Sequence, residues 1–209
     1  MTVQMRLSAD ERREELLDVA AELVVAHGVE ALTMEGLAVS AGVSKGLGYK
    51  HFANSDQLLV ALYEREMRVF DRRANEATTA VVPFEEKLHG LLDAMFDVVA
   101  ERGALLGRLL QPSAGETPLA ARQAQRSDAV VRFFGGIIAE QFDITPELAR
   151  SAAKLLLAAA NAAFGEWINR RMSRRTAAEL VVRLTMGGLA ELAANSADVK
   201  PSGVKEPSR

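Results

Sequence analysis

The stretch from Thr33 to Phe52, TMEGLAVSAGVSKGLGYKHF, constrains the fold most, because two short helical patterns meet there at a glycine. Leu37, Ala38 and Ala41 recur at helical spacing, Gly42 supplies a turn that a side chain would obstruct, and Val43 points back into the pair. A second helix begins at Ser44, whose hydroxyl can accept from a backbone N–H near Gly46 or Leu47 that lacks a partner within the helix. Small Ala38 lets the two helices approach closely. The pattern is a helix-turn-helix. Its second helix is expected to expose Lys45, Leu47 and Lys50 with Tyr49 and His51, a cationic, hydrogen-bonding and aromatic set suited to phosphates and base edges.

Two short helices cannot bury enough surface alone, and the preceding segment supplies a third. Ser8-Ala9-Asp10-Glu11 forms a capping box, Leu16, Ala20, Leu23 and His27 repeat on one face, and Gly28 ends the helix. A helix opening near Asn54 or Ser55 runs on past Arg73 as a connector and breaks at Ala80–Pro83. Further helices follow: Phe84 to Gly103, a short piece from Ala104 to Leu110, and Leu119 to Phe142 with Gly135–Gly136 in its middle. One opens at Thr145–Pro146 and ends around Met172, and the last spans about Ser173 to Asn195. The reading is all-α, about nine helices. A helix-turn-helix domain over residues 1–54 precedes a larger helical domain over 55–195, and a tail, 196–209, has too little apolar material to order itself.

Composition narrows the chemistry. Hydrophobic residues make up 49% and charged residues 25% of the 209, and only 5% are aromatic, so leucine, alanine and valine carry the core, as helix packing favours. Zero cysteines exclude disulfides and thiolate zinc sites, and His27, His51 and His89 lie too far apart for a helical metal pair, so neither metal nor cofactor is expected. The N-terminal segment lacks the apolar core of a signal peptide, and the run Leu155–Gly165 is short for the ~20 residues of a bilayer helix. A cytoplasmic protein without a membrane partner is expected. The net charge of −3 argues against a general nucleic-acid coat. Within 33–52, Lys45 and Lys50 against Glu35 leave only +1, so DNA binding would depend on placement and on doubling the site through a dimer.

From the first helix to about residue 65 the chain resembles the DNA-binding domain of the TetR family of bacterial transcriptional regulators. The residues that carry the resemblance are Thr33, Ala38, Gly42, Val43, Ser44, Lys45, Gly46, Tyr49, His51 and Phe52. Gly48 departs from it, standing where the family usually has Leu, Ile or Phe, and Ser55 stands where a Lys often begins the next helix. The resemblance implies a ligand-responsive regulator, a repressor, that binds a palindromic duplex operator as a homodimer and is released by a small apolar or amphipathic effector. It implies DNA contacts from Thr33, Ser44, Lys45, Gly46, Leu47, Tyr49, Lys50 and His51. It implies a dimer through the last two helices, where Ala158, Ala159, Ala160, Ala162, Ala163, Gly187 and Gly188 allow close approach. An effector cavity among the middle helices would draw on Phe96, Arg108, Gln111, Phe133, Phe134, Ile137, Asn161, Phe164 and Trp167. The missing side chain at Gly48 leads to the expectation of a loosely held recognition helix, unless Leu47 rotates in to fill the gap.

Two other functions fit parts of the chain. Gly42-Val43-Ser44-Lys45-Gly46 satisfies the G-x-S-x-G pattern of a hydrolase nucleophile, but that elbow needs a strand before the serine, and Leu37–Ala41 reads as helix. No enzyme is expected. A helical small-molecule-binding protein without DNA function would account for residues 80 onward and leave the capped, glycine-turned motif unexplained.

Overall fold

Local capping chemistry starts most of the helices. In the computed structural model, which describes residues 8–79, 82–111 and 116–195, α1 is Ala9–His27. Ser8 accepts from the Glu11 N–H at 3.2 Å, and the Glu11 carboxylate accepts from the Ser8 N–H at 2.8 Å, closing the capping box. Those bonds, the backbone one first, hold the Glu11 carboxyl below its ordinary value of 4.5. Gly28 ends α1 at φ 86°, a conformation L side chains rarely adopt. A 3₁₀ turn, Val29–Ala31, leads into α2 (Met34–Ser40), and α3 (Lys45–His51) follows. Asn54 accepts from the Gln57 N–H at 2.8 Å as α4 (Ser55–Thr78) begins.

The remaining helices are α5 (Phe84–Leu109), α6 (Pro118–Phe142), α7 (Pro146–Ile168) and α8 (Arg174–Ala194). Thr145 caps α7 ahead of Pro146, and Ser173 caps α8. The described residues thus hold eight α-helices and a 3₁₀ turn, with no strand. The expected break at Gly103 does not occur: Ala104 to Leu109 continue α5, where Leu105, Leu106 and Leu109 are buried. α6 runs unbroken, as expected, through Gly135. Its missing Cβ makes room for α7, whose Arg150 Cα would stand 3.3 Å from it. Part of the expected loop at 112–118, two residues of the break at 80–83, and the whole tail at 196–209 lie outside the described residues.

The chain divides into two compact units. The first joins the segment through Glu76 to Asp97–Arg126, and the second joins Ala77–Phe96 to the segment from Ser127 onward. This division differs from the expected domains because Leu58, Leu62 and Met67 of α4 and Leu105, Leu106 and Leu109 of α5 share one core with Leu16 and Leu37. The second core is built by Leu92, Phe96, Ile138, Ala149, Phe164 and Val181 with their neighbours, and α7 packs along α8. No described helix is long and apolar enough to cross a membrane.

Candidate nucleic-acid interface

The geometry of α2 and α3 follows from three small groups. Thr33 Oγ1 accepts from the Gly36 N–H at 3.0 Å and starts α2; Ser44 Oγ accepts from the Leu47 N–H at 3.3 Å and starts α3. Between them Gly42 adopts φ 64°, and the Val43 N–H donates to the Ala38 carbonyl at 3.0 Å. The Ser44 hydroxyl is therefore a helix cap joining two helices, with no strand before it. The hydrolase elbow is absent.

α3 separates its residues by face. At about 100° per residue, Lys45, Gly46, Tyr49 and Lys50 fall within an arc of about 140°, and all four are exposed. Gly48 lies on the opposite side and is buried, as is Phe52 just beyond the helix. Leu47 and His51 fall outside that arc, on the same side as Gly48, and are half-buried; the His51 ring stands 6.5 Å from the Phe52 ring. Phe52 also receives the Arg13 guanidinium of α1 over its face at 5.1 Å. Thr33 and Ser44 are exposed as well as being caps. All eight predicted contact residues thus sit on α3 or at the caps of α2 and α3.

Two features were not foreseen. The first is the filling of the Gly48 site: a Cβ there would stand 3.4 Å from Met34 Cε, and Met34 is itself buried. The α2 thioether, not Leu47, takes the place of the absent leucine, so α3 is packed rather than loose. The second is Glu35, exposed on α2 with its carboxylate 3.8 Å from Lys45 Nζ. Its signal in the sequence is an acid two residues past the cap of a helix-turn-helix.

The nine effector candidates are divided between the two units. Arg108 and Gln111 belong to the first unit and are exposed; the other seven belong to the second. Phe96, fully buried, meets Phe164 at 4.6 Å and Trp167 at 5.0 Å edge to face, and Arg174 lies over its ring at 5.5 Å while bonding Asp93. Phe133 and Phe134 pair with each other at 5.3 Å, Ile137 is half-buried, and Asn161 is exposed. Two concavities in the first unit, about 660 and 120 Å³, are lined by none of the nine.

Residues 16–62 match the sequence model of the bacterial regulatory proteins of the tetR family. A transcriptional activator of helix-turn-helix type, FasR of Mycolicibacterium smegmatis, is 28% identical over 191 residues, covering 90% of this chain and 87% of that protein. The transcriptional repressor KstR2 of the same organism is 35% identical over 94 residues, 44% of this chain and 45% of its own. A solved structure from Pseudomonas aeruginosa PAO1, described as a transcriptional regulator, superposes with a TM-score of 0.78 at 18% identity, covering 93% of this chain and 98% of that one.

Proposed function

Because the chain belongs to the TetR family of bacterial regulatory proteins and is a DNA-binding transcriptional regulator rather than an enzyme, we propose that it is a cytoplasmic, ligand-responsive repressor working as a homodimer on a palindromic operator. The observation that carries this reading is the exposed arc of α3, with Lys45, Tyr49 and Lys50 outward and Gly48 and Phe52 inward. Lysines supply sequence-independent attraction to phosphates, and the aromatic and polar groups between them reach base edges. Leu47 and His51, half-buried outside the arc, are the less exposed members of the contact set, Leu47 toward a thymine methyl and His51 toward the backbone. Thr33 and Ser44 offer hydroxyls to phosphates while capping their helices. In this reading residues 1–54 hold the DNA contacts and 55–195 regulate them.

The test is direct. DNA fragments retained by the purified protein define the operator, and Lys50→Ala should then weaken binding to it by about 1–2 kcal/mol, roughly 5- to 30-fold. Its melting temperature should move by no more than about a degree, because an exposed side chain contributes little to stability. Unchanged affinity would leave Lys50 a solvated charge.

The dimer reading rests on a stripe in the second unit. Leu155 (72% exposed), Ala158 and Ala162 recur along α7; Leu180, Leu184 (62% exposed), Gly187 and Gly188 recur along α8. A Cβ at either glycine would meet nothing within 4 Å, so another helix has room to lie close. Ala160 and Ala163 are instead buried within the chain, and Ala159 is half-buried. A two-fold axis through this stripe would present two α3 helices to half-sites a turn of DNA (~34 Å) or a multiple apart. Light scattering should give a dimer at micromolar concentration and a monomer for Leu184→Arg; a monomeric wild-type protein refutes it.

The effector is an apolar or amphipathic organic molecule, and the aromatic cluster of Phe96, Phe164 and Trp167 supports a site in the second unit. Binding there would bias α4 and so the α3 pair. FasR, similar over most of both chains and named an activator, favours a second reading in which the same DNA contact activates. The position of the operator relative to the promoter separates the two.

A further inference from the structure

Residues 33–52 carry one carboxylate, and neither helix cap uses it. Residues 33–52 hold three formal charges at neutral pH, Glu35, Lys45 and Lys50, so Glu35 cancels half of the cationic charge that meets DNA. It is 78% exposed and lies 3.8 Å from Lys45 Nζ, itself 57% exposed. An ion pair so wet contributes little to folding. α2 is already started by Thr33 on the Gly36 N–H, and α3 by Ser44 on the Leu47 N–H. Glu35 is therefore placed where it weakens contact with any phosphate, both by its own charge and by holding Lys45.

On this DNA-binding reading, we infer that Glu35 is a specificity-determining residue: it disfavours duplex DNA in general and is offset only at the cognate site. Non-cognate binding is almost all phosphate contact, so the penalty there is uncompensated. At the cognate site a base-edge amino group, cytosine N4 or adenine N6, donates to the Glu35 carboxylate in the major groove, and Lys45 is released to a phosphate. On random sequence each base pair also carries one such amino group, but only by chance does it stand at the position and on the strand that Glu35 reaches.

Glu35→Gln keeps the size and removes the charge; Glu35→Ala removes the amide's own hydrogen bonding as well. The probes are a short duplex selected from a random pool by the wild-type protein and a scrambled duplex of the same composition, each titrated across a salt series. One additional effective cation per recognition helix corresponds to as much as about 8-fold at ~0.1 M salt and a salt slope steeper by about 0.9. Both variants should bind the scrambled duplex about 3- to 8-fold more tightly per recognition helix, with a steeper slope, and should gain nothing on the selected duplex. Equal gains on both duplexes, or no gain on the scrambled one, overturn the inference while leaving DNA binding intact. Failure of the wild-type protein to select any duplex overturns the DNA-binding reading and the inference together.

Discussion

Arg102→Met is expected to destabilise the first unit by about 3 kcal/mol, lowering the melting temperature by roughly 6–12 °C. The reason is Glu66, a fully buried carboxylate on α4. One oxygen accepts from Arg102 Nη1 of α5 at 2.7 Å and the other from Arg65 Nε at 3.2 Å. Arg65 is already engaged by α1, its Nη1 standing 2.7 Å from Asp18 and 3.6 Å from Glu14. Without Arg102 the Glu66 charge keeps only Arg65, a partner it shares with Asp18 and Glu14. Glu66→Met should cost less than half as much, because it strands nothing. Arg65 keeps its two carboxylates, and Arg102, 39% exposed, turns to solvent. A thioether also fills the vacated volume. Urea unfolding of both variants checks the order; a larger loss for Glu66→Met would show that the carboxylate is needed for packing rather than being a charge that must be satisfied.

That network was not legible in the sequence, whereas the helix starts were, and the difference is physical. Ser8 with Glu11, Ser44 with Leu47, and Thr145 before Pro146 act over three residues, so sequence spacing alone specifies them. Gly103 reads as a helix end and Gly135–Gly136 as a weak point within a helix, because glycine costs about 1 kcal/mol there. The structure overrides that with packing: α5 continues to bury Leu105, Leu106 and Leu109, and Gly135 lets α7 approach. Glu66 reads like any charge on the polar face of a long helix. In the folded unit it is buried and paired, with Arg65 beside it on α4 and with Arg102 of α5. The outward face of α3 was legible because its motif constrains both faces at once. The effector residues were not, since aromatic side chains on middle helices read the same whether they pack together, as Phe96 and Phe164 do, or stand exposed like Phe133.

Met34→Ala should prove as damaging as any substitution near the DNA-facing helices, costing about 2–4 kcal/mol. Met34 is buried at the first turn of α2, and its terminal methyl occupies the space under α3 that a side chain at position 48 would need. Removing it leaves a cavity between two seven-residue helices. Gly48→Leu alone should also destabilise, by about 1–3 kcal/mol, because leucine and the thioether compete for one site. Gly48→Ala should not: a Cβ at 3.4 Å from a flexible methyl is ordinary contact, and alanine favours the helix by about 1 kcal/mol. The decisive variant combines Met34→Ala with Gly48→Leu, moving the filling side chain from α2 to α3. If Met34 fills the Gly48 site, the double variant recovers much of both losses, with a coupling energy of about 1–3 kcal/mol in thermal or urea unfolding. DNA affinity should follow the same order, since an α3 that is not held in place must be ordered on binding, at a cost to affinity. Simple additivity of the two losses would mean that Met34 and residue 48 occupy different space, and that α3 is held by Phe52 and Val43 instead.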